Sequence, residues 1–394
     1  MTHSTPHSER TNITLLGRCN SGKSSLINAL TGQATAIVSE QAGTTTDPVI
    51  KAMEITGVGA CILIDTAGFD DTTALGAERT AKTRKMLERT DIAILLFTNT
   101  EPSEELKCLE ELRRRSIPTI AILSQCDRYA NKQAVANEIE AQSGLKPICI
   151  SAHTDEGLEE LRAAIVKFAS SEERLLTEGF CNAGDTVLLV MPQDEQAPKG
   201  RLIKPQVQTL RELLDRGCNA MCCTAEGMES ALAALATPPQ LIITDSQVFD
   251  KVYQLKPESS TLTSFSVLFA RYKGDISLFA EGAKRLLSLP PTARILIAEA
   301  CTHTPQHEDI GRMKLPRMLR RKLGEEITID IVGGADFPDD LTPYDLIIHC
   351  GACMFNRCHV MSRVRRAQEQ NIPITNYGIA IAALTGILGK VKYK

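Results

Sequence analysis

The chain has 394 residues, 43% of them hydrophobic and 23% charged, with a formal net charge of −4. That length suggests two or three domains, and the composition is that of a globular protein able to bury a core. Trp is absent and aromatics make up 4%, which argues against an aromatic platform for single-stranded nucleic acid, and the slight acidity argues against a binder of polyanions. Thirteen cysteines are too odd a count for full pairing, in a chain too long for a small disulfide scaffold. Residues 1–10 are polar, and the longest apolar-rich stretch, 378–389, is too short to span a bilayer. The expectation is a cytoplasmic protein with reduced thiols and no membrane segment.

An apolar run at 12–17 reads as the first strand. It leads into Gly17-Arg18-Cys19-Asn20-Ser21-Gly22-Lys23-Ser24, a phosphate-binding loop, and then into a helical pattern from Ser25. Gly22 allows the tight turn that aims backbone N–H groups at phosphate oxygens. Lys23 brings a point charge to the β- and γ-phosphates, and the Ser24 hydroxyl is a Mg²⁺ ligand. Gly17, Asn20, Ser21, Gly22, Lys23, Ser24 and Ser25 form the candidate nucleotide-binding set.

The polar stretch Gly43-Thr44-Thr45-Thr46-Asp47 follows. Thr45 is the candidate second Mg²⁺ ligand, ordered when the γ-phosphate is present. The strand at 60–65 ends in Asp65-Thr66-Ala67-Gly68. There Asp65 can hold the Mg²⁺ water shell, and the Gly68 N–H can reach the γ-phosphate. Lys23, Thr45, Asp65 and Gly68 are the catalytic candidates.

Further strands are expected at 92–98, 118–124 and 147–151, alternating with helical patterns. That rhythm predicts an α/β domain over 1–171, with a mostly parallel sheet covered by helices on both faces. The strand at 118–124 ends in Ser124-Gln125-Cys126-Asp127, and Asp127 can accept both guanine N–H groups. Ser151-Ala152 ends the last strand; it matches the weakest nucleotide-site motif and equally a helix cap.

The loop, the threonine stretch and Asp-Thr-Ala-Gly, in this order, resemble a translation-factor-class GTPase of the TrmE/Era-like group. The resemblance implies GTP and Mg²⁺ as ligands. It also implies activation by K⁺ through Asn20. Phe69 stands where Ras-type proteins carry a water-orienting Gln, which fits a slow switch. One departure is plain. The guanine-reading motif is usually Asn/Thr-Lys-x-Asp, and Gln125 replaces the lysine whose stem packs on the base.

The second segment, 172–268, repeats the strand–helix rhythm on a smaller scale. Strands are expected at 186–191, 220–224, 241–244 and 263–268, with a helix at 206–215. It holds no catalytic constellation, so it reads as an assembly module. Cys222 and Cys223 are adjacent in a strand pattern, so their side chains point to opposite faces.

The third segment, 269–394, has strands expected at 294–299, 327–332 and 345–349. Cys301-Thr302-His303 follows the first of these, and His349-Cys350-Gly351-Ala352-Cys353 closes the last. Neighbouring strands of one sheet would bring the two groups together. On the residues alone, three thiolates and one of two histidines suit Zn²⁺ or an iron–sulfur cluster. Cys358 and His359 read as packing residues. Basic residues follow both groups, among them Arg312, Arg317, Arg320, Arg363 and Arg366. They read as solvated helix faces, or as a surface for an anionic cargo or an acidic partner.

Four stretches carry a second resemblance. They are Glu299-Ala300-Cys301-Thr302-His303; Glu308-Asp309-Ile310-Gly311; His349 through Arg357; and Ile372-Pro373-Ile374-Thr375-Asn376-Tyr377-Gly378. Together they resemble the FeFe-hydrogenase maturation GTPase family, HydF, and the middle segment is similar to that family's dimerisation domain. The resemblance implies three domains: GTPase, dimerisation and cluster-binding. It implies that Cys301, Cys350 and Cys353 hold a 4Fe–4S cluster, with His303, His349 or Glu308 as an exchangeable fourth ligand. It implies a diiron precursor with CO and cyanide ligands as cargo. The implied partners are a second copy in a homodimer or tetramer, radical-SAM maturases and apo-hydrogenase, with no nucleic acid. The rival reading is a TrmE/Era-like GTPase acting on RNA or ribosomes, with a structural zinc.

Overall fold

The computed structural model describes residues 10–32, 49–69, 83, 85–170, 174–192, 202–300, 310–334, 336–352 and 355–393. The chain forms two compact units, 1–173 and 174–394.

The first unit is built on six strands: β1 (Thr11–Leu16), β2 (Val49–Ile55), β3 (Gly59–Asp65), β4 (Ile92–Phe97), β5 (Thr119–Ser124) and β6 (Ile148–Ile150). Their order is β2-β3-β1-β4-β5-β6. Every pairing is parallel except β2 on β3. β4 is buried along its whole length, as its unbroken apolar run requires for a strand covered on both faces. Helices Lys23–Gly32 and Leu158–Ser170 pack on one face through Leu26, Ile27, Leu30, Leu161 and Ile165. Helices Ser103–Arg114 and Lys132–Ser143 cover the other through Leu109, Leu112, Ala136 and Ile139. The chain leaves β1 toward β3 on one side and β4 on the other. This is the switch point beyond whose carboxyl strand ends open α/β sheets bind ligands.

The second unit carries two wholly parallel sheets. One contains β7 (Thr186–Val190), β8 (Asn219–Cys223), β9 (Leu241–Thr244) and β10 (Thr261–Ser264) in the order β10-β9-β7-β8. The other contains β11 (Arg294–Ala298), β12 (Thr328–Val332), β13 (Leu346–His349) and β14 (Ile374–Asn376) in the order β12-β11-β13-β14. The chain's last residues return to the first of these sheets. Ala382, Ile387 and Val391 pack against Leu188, Val190 and Ile242, and the Lys392 N–H donates to Leu262 O at 2.9 Å.

The fold class is α/β, as expected, with two strands unforeseen and one displaced. β2 is an antiparallel edge strand, and β14 is only three residues long. The strand expected at 263–268 occupies Thr261–Ser264, and Phe265 opens a helix to Lys273. Ser264 caps that helix by accepting the Val267 N–H, so an apolar run that suits a strand is turned into a helix. No helix among the described residues is long and apolar enough to cross a membrane.

Candidate functional site

The register Leu15↔Asp65 and Leu16↔Leu95 sets the start of the phosphate loop beside the end of β3. Gly22 adopts φ +94° and Asn20 φ 59°, which turn the loop before the helix begins at Lys23. The buried Lys23 ammonium donates to Gly17 O at 3.0 Å and Arg18 O at 2.7 Å. The Ser24 hydroxyl donates to Asp65 Oδ2 at 2.5 Å. Sequence assigns these two side chains to one Mg²⁺, and the fold puts them in contact across 41 residues. Thr66 Oγ1 donates to Leu15 O at 2.6 Å, locking the end of β3 to β1. A Cβ on Gly68 would lie 2.3 Å from the Cys19 backbone nitrogen, so the Asp-Thr-Ala-Gly turn rests directly on the phosphate loop. Thr45 lies outside the described residues.

The base-reading end assembles as well. The Ser151 hydroxyl bonds the Asp127 carboxyl and holds it below the usual carboxylate range. The same hydroxyl accepts the His153 and Thr154 N–H groups, so Ser151 is both a turn cap and an Asp127 partner. Ala152 follows it, half-buried. Ser124 Oγ donates to Ser21 O at 2.7 Å, and Gln125 Nε2 donates to Asn20 O at 2.9 Å. β5 is thereby bolted to the phosphate loop. Sequence reasoning missed one further link: Arg18 donates from Nε and Nη2 to Glu105 Oε2 at 3.1 and 3.0 Å. No local pattern announces a contact across 87 residues.

In the second unit, the register Ala298↔His349 aligns the carboxyl ends of β11 and β13. Both strands therefore end at one place, β11 running on to Ala300 and β13 to the Cys350 turn. Cys350 Sγ accepts the Ala300 N–H at 3.0 Å and the Ala352 N–H at 3.4 Å. Backbone N–H groups aimed at sulfur favour a thiolate, so the described part of the donor set suits metal or cluster ligation. Cys301, His303, Glu308 and Cys353 lie outside the described residues.

His349 turns inward from the expected ligand set. Its Nδ1–H donates to Cys350 O at 2.7 Å, and its Nε2 accepts from Arg363 Nη1 at 3.2 Å. Burial, with the Arg363 guanidinium, pulls the imidazole down to about 3, so it stays neutral. Arg363 is itself buried, donates to Glu299 O and Gly334 O, and lies 4.8 Å from the Phe337 ring. The buried Glu299 carboxylate accepts from Arg312 at 3.0 Å. The Lys273 ammonium, also buried, donates to Ala352 O at 2.6 Å and Phe355 O at 2.9 Å, gripping the cysteine turn from behind. Asn356 and Asn376 are helix caps, and His359 stacks on Phe355 with ring centroids 4.5 Å apart. Cys222 is exposed and Cys223 half-buried on β8. Among the described residues no cysteine is joined in a disulfide.

The doubly covered sheet, the phosphate loop and the Ser24–Asp65 pair define a P-loop GTPase domain, joined to an α/β unit that presents a cysteine turn at paired strand ends. Residues 12–125 match the family model of the 50S ribosome-binding GTPases. Residues 176–274 match the hydrogen maturase F dimerization domain, and 277–392 its tetramerization domain. The chain belongs to the hydrogen maturase F (HydF) family.

Among curated relatives, the tRNA modification GTPase MnmE of Bordetella petrii is 37% identical over 164 residues, covering 41% of this chain and 34% of that protein. The MnmE of Lactobacillus delbrueckii subsp. bulgaricus is 35% identical over 199 residues, covering 49% and 39%. The chain spans about a third of the length of the curated relatives it matches. Among solved structures, the cytosolic domain of the T. maritima FeoB iron transporter in GDP form II is 27% identical, covering 42% of this chain and 66% of that one, with a TM-score of 0.34. Era in complex with MgGDPNP and a 16S ribosomal RNA segment is 19% identical, covering 54% and 93%, also with a TM-score of 0.34.

Proposed function

We propose that this chain hydrolyses GTP to control a carrier that holds a 4Fe–4S cluster and hands a diiron precursor to apo-hydrogenase. The observation that carries the reading is the adjoining of the β11 and β13 ends, where Cys350 Sγ takes two backbone N–H groups, in a chain that also has a complete phosphate loop. In the first unit, Ser24 and Asp65 orient Mg²⁺, directly and through its water shell, and Lys23 neutralises charge on the phosphates. Asp127 selects guanine. Asn20 is the residue through which K⁺ would act, as the expected charge stabiliser in a chain with Phe69 in place of a glutamine. Faster hydrolysis in KCl than in NaCl tests that assignment.

In the second unit, Cys301, Cys350 and Cys353 are the proposed cluster ligands. With both nitrogens of His349 engaged by protein, His303 and Glu308 are the candidates for the fourth position. When bound, the cluster supplies one iron whose weak ligand can be exchanged. The diiron precursor is the cargo, and the radical-SAM maturases and apo-hydrogenase are the partners. The three-part division at 171 and 268 is our assignment of labour, with assembly into dimers or tetramers through the second and third parts and a cytoplasmic setting that keeps the thiols reduced. The hydrogen maturase F models match 176–274 and 277–392, whereas the tRNA modification GTPases match two-fifths to half of this chain, which favours the carrier reading over the rival one.

Anaerobic purification followed by metal analysis tests the proposal. Brown protein with about four irons per chain is expected; colourless protein with one zinc refutes it.

A further inference from the structure

The guanine-reading loop departs from its usual form at Gln125, and the structure gives that departure a specific geometry. Gln125 sits in the left-handed region, φ 55° and ψ 40°. Its side chain is held at both ends. Nε2 donates to Asn20 O of the phosphate loop at 2.9 Å, and Oε1 accepts from Arg128 Nη1 at 2.6 Å. Asp127, the residue that reads the base edge, stands between them in sequence, oriented by the Ser151 hydroxyl. Next to the carboxylate there is thus a planar amide hydrogen-bonded to a planar guanidinium, with Arg128 exposed.

A lysine at position 125 would supply a four-carbon stem for packing and a charge at its tip. Glutamine has a shorter stem and no charge, so alone it supplies neither in full. The pair supplies both by other means. Guanidinium planes stack on π-faces and keep their charge at any working pH.

We propose that Gln125 and Arg128 together form the base platform of this site: Gln125 tethers the platform to the phosphate loop, and Arg128 stacks on the guanine ring and supplies the positive charge. The inference rests on the guanine-nucleotide reading of the first unit and names a specificity element that the motif alone does not contain. It makes Arg128 a binding residue and Gln125 a positioning residue.

The test is GDP binding to the full chain, measured by calorimetry for the wild type and for Arg128→Ala, Arg128→Lys, Gln125→Ala, Gln125→Lys and Asp127→Asn. Stacking of one base on a side chain sets the scale of the expected loss. Arg128→Ala and Gln125→Ala should each weaken GDP about tenfold or more. Arg128→Lys should stay weak, because it keeps the charge and loses the plane. Gln125→Lys, which supplies a stem and a charge in one side chain, should bind GDP more tightly than Gln125→Ala. Asp127→Asn should shift preference from GDP to XDP, which fixes the base in the expected orientation. Wild-type affinity in Arg128→Ala, alongside a shifted preference in Asp127→Asn, overturns the platform and leaves the guanine site standing. Full recovery in Arg128→Lys also overturns it, since a bare charge would then suffice. A wild-type chain that binds no GDP overturns the guanine site and the platform together.

Discussion

Arg18 in the phosphate loop and Glu105 in the helix Ser103–Arg114 form an ion pair in which the carboxylate is fully buried. The guanidinium keeps about a quarter of its side-chain surface in solvent, and its Nη2 also donates to Glu101 O at 2.8 Å. The nucleotide loop is thereby fastened to the helix between β4 and β5.

Truncating one partner of a buried pair leaves an uncompensated charge. Arg18→Ala should lower the stability of the first unit by about 2–4 kcal/mol, seen as an earlier urea midpoint. The double variant Arg18→Ala/Glu105→Leu should recover most of the loss, because no buried carboxylate then remains. Equal midpoints for the single variant and the wild type would show that the pair is energetically idle.

The Ser24–Asp65 contact predicts a clean separation of activities. Asp65→Asn should reduce GTP hydrolysis by about 10²–10³-fold, the scale of losing one preorganised charge stabiliser. Lys23→Ala should do the same. Neither should alter iron content after anaerobic reconstitution, since both residues belong to the first compact unit and the cysteine turn to the second. Loss of iron in either variant would tie the two sites more closely than the residues do.

For the cysteine turn, Cys350→Ala should abolish iron binding, and Cys301→Ala and Cys353→Ala should match it. Cys358→Ala should keep the full iron content. Cys358 lies half-buried in the first turn of the helix Arg357–Glu369. Iron and sulfide analysis of the four purified variants checks this, and four irons retained in Cys350→Ala would remove it from the ligand set.

Thiol chemistry offers a pH-dependent check on the remaining cysteines. Burial pushes the Cys61 thiol up to about 12. Burial, with the nearby Glu156, pushes Cys126 up to about 11. The thiolate is the reactive form, and it appears only as pH approaches the raised value. At pH 8 native protein should therefore alkylate at the exposed Cys19 and spare Cys61 and Cys126. Peptide mapping after iodoacetamide treatment decides it. Modification of Cys61 at pH 8 without unfolding would contradict its burial.

Long apolar runs were the legible part of the fold. Ile92–Phe97 is buried on both faces and reads as a central strand from composition alone. β2 was not legible, because Val49–Ile55 is an edge strand with mixed exposure and its pairing is set by β3 rather than by its own pattern. β14 is too short to carry a period. The site divides the same way. Phosphate-loop chemistry is contiguous in the chain and was readable. The ties that position it are not, for Gln125 reaches back 105 residues to Asn20 and Lys273 reaches forward 79 to Ala352. His349 shows the limit from the other side. Beside a cysteine it looks like a ligand, and only the fold reveals that Arg363 occupies its second nitrogen.

The helix Phe265–Lys273 begins at the end of β10 and finishes with the ammonium that grips the cysteine turn. In mechanical terms it is a strut of about 14 Å at 1.5 Å per residue, capped at Ser264 and clamped at Ala352 and Phe355. A strut transmits displacement without needing a chain of side-chain rearrangements. Any event that shifts β10 therefore arrives at the cysteine turn as a push or a twist. One alanine inserted in mid-helix would swing Lys273 by about 100° and take its ammonium away from the turn.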